Sequence, residues 1–149
     1  MKQQDPSFEP RVRASFGRQQ LMTTIGATLD LVEPGRVDIR LPFRDDLTQQ
    51  HGFLHAGTIA SIADSACGYA ALSLMPADAG VLSIEFKMNM LSPAKGDAIV
   101  ARGEVIRAGR TVMVCRADVY ALLDGNEKLV AAMQGTMMVV KEAGMGKGE

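Results

Sequence analysis

Gly57-Thr58-Ile59-Ala60-Ser61-Ile62-Ala63-Asp64-Ser65-Ala66-Cys67-Gly68-Tyr69-Ala70-Ala71-Leu72-Ser73-Leu74-Met75 is the most apolar stretch of the chain. It holds no Pro and no cluster of β-branched residues, it stops at Pro76, and it is long enough for about five α-helical turns. Apolar side chains fall nearly all round its helical projection, which predicts a helix buried on every side. Such a helix needs a sheet to wrap it.

The flanking sequence supplies that sheet. Ile25 to Val32 alternates loosely as far as the turn signal Glu33-Pro34-Gly35. Arg36-Val37-Asp38-Ile39-Arg40-Leu41 then alternates strictly, apolar at the odd positions, and the two segments predict a hairpin. Beyond Pro76, four segments are rich in Val, Ile and Met: Val81 to Leu91, Asp97 to Arg107, Thr111 to Leu122 and Leu129 to Val140. Short turns separate them, which predicts an antiparallel sheet of consecutive strands. From Phe8 to Met22, Val12, Phe16 and Leu21 lie near helical spacing, predicting a short amphipathic helix that ends before Thr23-Thr24. Phe43 to Ala56 is a polar loop carrying both histidines. The expected class is α+β: about six antiparallel strands around one long buried helix, plus a short N-terminal helix. Residues 1–141 form one domain in this reading, and the Gly- and charge-rich 142–149 a flexible tail.

The 149 residues are 47% hydrophobic, which suits one domain and excludes a disordered chain. Sixteen Lys+Arg against 17 Asp+Glu leave a formal charge of −1, too little positive charge for a nucleic-acid surface. Cys67 and Cys115 both sit in apolar runs and read as reduced, buried thiols. The first twenty residues are too polar for a signal peptide, and no run of about 18 apolar residues exists to span a membrane. The expectation is a cytoplasmic protein.

Asp64 is the first candidate for chemistry. A carboxylate in an apolar helix costs free energy unless it is paired or serves a site. Its helical face reads Ala60, Asp64, Gly68, small neighbours that let another group approach. An ion pair with an arginine of the sheet accounts for it equally well at this point. The second feature is His51-Gly52-Phe53-Leu54-His55-Ala56-Gly57-Thr58, which leads into the buried helix. Small residues there leave backbone N–H groups free for an anion or an oxyanion, although a plain glycine loop with Thr58 near the N-cap also fits. His51 and His55 stand four apart, but with no third ligand at zinc-like spacing they do not make a metal site. Arg107-Ala108-Gly109-Arg110-Thr111 is a basic turn able to meet a phosphate, or a solvated hairpin tip. Ser83 has no nucleophile elbow around it and suits an orienting hydrogen bond.

Taken together, these segments resemble the PaaI-like acyl-CoA thioesterases of the hotdog superfamily. His55-Ala56-Gly57-Thr58-Ile59-Ala60-Ser61-Ile62-Ala63-Asp64 resembles that family's HGG-to-LAD segment, Ser83 to Pro93 its following strand, and Arg107 to Thr111 its R-x-G-R-T turn. The match runs from about Ile25 to Val140, and the N-terminal Arg-Val-Arg-Ala-Ser-Phe helix is similar to the medium- and long-chain acyl-CoA branch. The resemblance implies a hotdog fold, hydrolysis of acyl-CoA to acid and CoA, and no cofactor or metal. It implies Asp64 as nucleophile or general base and the Ala56 N–H as donor to the thioester carbonyl. Gln49, His55 and Ser83 are implied beside them, and Gly57 belongs to the substrate loop. Arg107, Gly109, Arg110 and Thr111 are implied near the phosphates of coenzyme A. Two positions depart from the pattern: Ala56 where Gly is usual, and Gln49 where some members carry Asn.

These implied roles carry a geometric consequence. Ala56 and Asp64 are eight residues apart, about 12 Å along a helix, too far to serve one carbonyl carbon. A homodimer or dimer of dimers with shared sites is therefore expected. Two rivals remain in the reading, a hotdog enoyl-thioester hydratase or dehydratase and a non-catalytic acyl-CoA-binding module. The methionines at 88, 90, 113, 133, 137 and 138 suggest adaptable apolar walls or ordinary core.

Overall fold

Val37, Ile39 and Leu41 are fully buried, as strict alternation on a half-buried strand requires. In the computed structural model, which describes residues 1–141, they lie on β2 (Arg36–Pro42), paired with β1 (Thr28–Glu33) around the Pro34-Gly35 turn. The long helix α3 spans Ala56–Leu72. After it come β3 (Ala79–Met90), β4 (Ala98–Ala108), β5 (Val112–Leu123) and β6 (Asn126–Lys141). The tail at 142–149, expected to be flexible, lies outside the described residues.

All six strands form one antiparallel sheet in the order β1-β2-β4-β5-β6-β3. Here the sequence expectation of consecutive pairing needs correction. β3 pairs with β6, not with β4, so it becomes an edge strand. The connection from β3 to β4 is not a hairpin turn because its hydrogen bonds go elsewhere. The N–H groups of Leu91 and Ser92 both donate to the Val130 carbonyl on β6, and the Ala94 carbonyl accepts from Leu54 just ahead of α3. The segment thus passes the start of α3 before entering β4 beside β2.

The sheet wraps α3, and Ile59, Ile62, Ala63, Ala66 and Cys67 of the helix are wholly buried against it. Contact is closest at Gly103 of β4. A Cβ there would stand 2.4 Å from the Ala66 carbonyl carbon, so the helix backbone rests directly on the strand. Cys67 and Cys115 are both buried and unpaired; burial pushes the Cys67 thiol up and the Cys115 thiol up to about 12.

The N-terminal helix differs from expectation. It is split into α1 (Phe8–Arg18) and α2 (Gln20–Ile25), with Gln19 extended between them. α2 runs through Thr23-Thr24 instead of stopping before them. Thr24 donates its hydroxyl to the Gln20 carbonyl, and the stop signal is Gly26, left-handed at φ +80°. α1 is fastened across the far end of α3 by Arg11. Its guanidinium donates to the carbonyls of Leu72, Met75, Pro76 and Ala79 at 2.8–3.1 Å and pairs with the buried Asp5 at 2.9 Å. These bonds tie α1 to the last residue of α3 and to the loop that leads from it into β3.

No helix among the described residues is long and apolar enough to cross a membrane.

Candidate active site

Asp64 stands half-buried in the middle of α3 on the face turned toward β3. Ser83 of β3 donates its hydroxyl to Asp64 Oδ1 at 2.7 Å. Oδ2 makes no bond among the described residues. The ion pair with a sheet arginine that would give Asp64 a purely structural role is not formed there either. Gly68, one turn further along, lies against Val81 with no side chain of its own to fill the gap. A cavity of about 200 Å³ opens at this place, walled by Asp64, Gly68 and Tyr69 of α3, Val81 and Ser83 of β3, and the inner face of α1. The carboxylate therefore has one oxygen bonded to Ser83 and the other without a partner among the described residues, beside a space that a small acyl group can enter.

The start of α3 holds a second arrangement. The N-cap is His55, not Thr58: His55 Nδ1 accepts from the Gly57 N–H at 2.8 Å. A Cβ on Gly57 would crowd that nitrogen at 3.0 Å, so glycine keeps the cap intact. The N–H groups of Thr58 and Ile59 both go to the His55 carbonyl. That leaves the exposed Ala56 N–H as the uncommitted donor of the first turn, backed by the positive end of the helix dipole. Gln49 accepts the His51 N–H through Oε1, and its Nε2 has no partner among the described residues. Gln49 and Ala56 line a depression of about 360 Å³ together with Phe53, Met90 and Pro93.

The structure thus brings Asp64 together with Ser83, and Gln49 together with Ala56, but it does not bring the two pairs together. Within one chain they are separated by about 12 Å of helix.

The basic segment at 107–111 is the hairpin tip between β4 and β5. Gly109 donates to the Val112 carbonyl at 3.0 Å, and a Cβ at Gly109 would lie 2.4 Å from that oxygen. Arg107 and Arg110 are exposed and form no ion pair among the described residues. Strand register fixes the tip's position. Thr111 accepts from Val139 of β6, and Val139 is the partner of Val81 on β3. Two strand spacings, about 10 Å, therefore separate the tip from the Ser83 end of β3. The tip belongs to the Asp64 side.

Sequence reasoning missed two features. Ser15, Arg18 and Gln19 of the N-terminal segment help wall the Asp64 cavity, whereas that amphipathic helix carried no expected part in the site. β3, an edge strand, also exposes Leu82, Ile84, Phe86 and Met90. Had β3 been recognised as an edge strand, its apolar residues on both faces would have marked it as needing a partner.

A long helix packed against one six-stranded antiparallel sheet, with a short helical segment ahead of it, is the hotdog fold. Residues 51–126 match the model of the Thioesterase superfamily, and the chain belongs to that family. It is similar to the crystal structure of a thioesterase family protein from Silicibacter pomeroyi. The TM-score is 0.88 and the identity 49%, over 90% of this chain and 98% of that one. Human acyl-coenzyme A thioesterase 13 is 30% identical over 105 residues, covering 70% of this chain and 73% of the relative. The PaaI protein of E. coli, 18% identical with a TM-score of 0.82 over 90% of this chain and 94% of that one, shares the fold.

Proposed function

We propose that the chain hydrolyses acyl-CoA thioesters at a site completed by two subunits. The observation that carries the reading is the Ser83–Asp64 bond of 2.7 Å beside a cavity, with the second carboxylate oxygen unpartnered. Asp64 acts on the thioester carbonyl carbon directly or through a water whose proton it takes. By the water route, the water oxygen bonds to that carbon, the C–S bond breaks, and the proton taken by Asp64 passes to the departing CoA thiolate. By direct attack, an acyl–Asp64 anhydride forms as the C–S bond breaks, and water then cleaves it to the acid, restoring the carboxylate and supplying the thiolate's proton. The Ala56 N–H and the Gln49 Nε2 donor hold the carbonyl oxygen as it becomes negative. His55 and Gly57 keep the loop capped so that the Ala56 N–H points outward. Arg107 and Arg110, with Gly109 and Thr111 shaping the tip, meet the phosphates of CoA. A thiolate leaves readily, so the reaction needs no metal or cofactor.

The second subunit follows from the separation of the two pairs. Edge strand β3 offers unpaired backbone groups and exposed apolar side chains, and a two-fold axis across it sets one subunit's Ala56 near the other's Asp64. The human relative's name, an acyl-coenzyme A thioesterase, supports the substrate class. A hydratase is less well supported, since His55 Nδ1 is committed to its own helix start. The test is Asp64→Asn: it should retain the fold and acyl-CoA binding while losing hydrolysis by at least about 100-fold, the scale of a lost general base. Full hydrolysis by that variant would remove the mechanism.

A further inference from the structure

The wall that α1 adds to the Asp64 cavity is made of hydrogen-bond donors. Gln19 uses Oε1 to accept from Ser65 at 3.2 Å, which leaves Nε2 to face outward. Ser15 stands beside the Tyr69 hydroxyl. Arg18 completes the wall and also acts on Tyr69. The other two arginines of α1 are fully engaged: Arg11 by Asp5 and four carbonyls, Arg13 by Glu9 at 2.9 Å. Arg18 donates only to the Ala14 carbonyl, at 3.3 Å, and has no carboxylate partner among the described residues. Arg18 is exposed at the cavity and Ser15 and Gln19 are half-buried, so an alkyl tail placed here would gain nothing from these donors. A tail ending in an anion would use them.

Size and reach narrow the occupant. A cavity of about 200 Å³ exceeds the ~150 Å³ that accommodates benzene, yet is far too small for a nucleotide. Its ligand is therefore the acyl group, with CoA outside. Tyr69, which shares the cavity wall with Arg18, stands five residues beyond Asp64 and so about 7.5 Å along α3, the span of a chain of about six carbons.

We infer that Arg18 makes the cavity selective for acyl groups ending in a carboxylate, so that the favoured substrates are CoA half-thioesters of short dicarboxylic acids. The inference rests on the assignment of Asp64 to thioester hydrolysis. Arg18 is the specificity-determining residue, with Gln19 and Ser15 as supporting donors.

The experiment compares adipyl-CoA with hexanoyl-CoA, six-carbon thioesters that differ at the distal end. The wild-type chain should prefer adipyl-CoA by about tenfold in kcat/KM, the scale of one charge-assisted hydrogen bond. Arg18→Gln should abolish that preference mainly through KM, and Arg18→Lys should retain most of it. In the Asp64→Asn background, Arg18→Gln should weaken adipyl-CoA binding more than hexanoyl-CoA binding. Equal or faster hydrolysis of hexanoyl-CoA by the wild type overturns the inference and leaves the thioesterase reading standing. Equal losses on both substrates in Arg18→Gln assign the arginine to the shared CoA portion, which also overturns it. Failure to hydrolyse either thioester overturns both.

Discussion

Replacing Gly103 by alanine puts a methyl group where α3 meets the sheet. The new Cβ would lie 2.4 Å from the Ala66 carbonyl carbon, 2.5 Å from its oxygen and 2.7 Å from the Cys67 nitrogen, all of them backbone atoms with no rotamer to yield. Ordinary contact begins near 3.4 Å, so helix and strand must separate by about 1 Å. Overpacking of this kind costs about 1–3 kcal/mol, which in a domain of this size lowers Tm by about 2–12 °C. Asp64 lies two residues before Ala66 and moves with the helix, so its bond to Ser83 is disturbed as well. A displacement of that size can lower hydrolysis by about 100-fold. Thermal unfolding followed by circular dichroism gives the first quantity, and steady-state release of CoA the second. Gly17→Ala is the control: it sits in α1 with open space around it and should stabilise the helix by about 0.5–1 kcal/mol. If Gly103→Ala keeps both the wild-type Tm and wild-type kcat/KM, the account of helix seating is wrong.

Neutralising Arg107 and Arg110 together should raise KM more than it lowers kcat, and the residual activity should lose much of its sensitivity to salt; unchanged kinetics would make the tip a plain hairpin. Mixing Asp64→Asn chains with chains disabled at Gln49 and Ala56 should restore activity after subunit exchange, whereas exchange without recovery would sink the shared site. Both thiols stay protonated in the folded chain, so Ellman's reagent at pH 8 should detect none until guanidinium unfolds the protein, when it should find two. The unfolded chain releases these protons above about pH 8.5 while the folded chain keeps them, so stability should fall as pH rises past that value.

The long helix and the β1–β2 hairpin were legible because burial imposes a period on the sequence, as Val37, Ile39 and Leu41 show. Asp64 was legible for the opposite reason, as a charge in a segment that otherwise excludes charge. Strand order was not. The turn-like sequence at 92–96 follows local rules for a hairpin, yet its bonds to Val130 and Leu54 are made across the fold and leave no local trace. The plain-loop reading puts Thr58 near the N-cap of α3, and only coordinates show that the His55 ring nitrogen accepts the Gly57 N–H there. The contribution of α1 to the cavity was hidden because it depends on how one element docks on another. Arg11 and Arg18 look alike in sequence, but one is sealed by carbonyls and the other faces the cavity.

The Arg11 anchorage also sets an order of events during synthesis. Its carbonyl partners lie 61 to 68 residues further along the chain. At about 5–20 residues per second, roughly 3–14 s must pass between the appearance of α1 and that of its last acceptor. For that interval the first helix made has no seat, and Val12 and Phe16 have nothing to cover them. α1 thus cannot lock until residue 79 has been made, and hydrogen exchange should find it among the first elements to open in a finished chain. The wall that carries Arg18 is therefore set only after the whole of α3, Asp64 included, has been made.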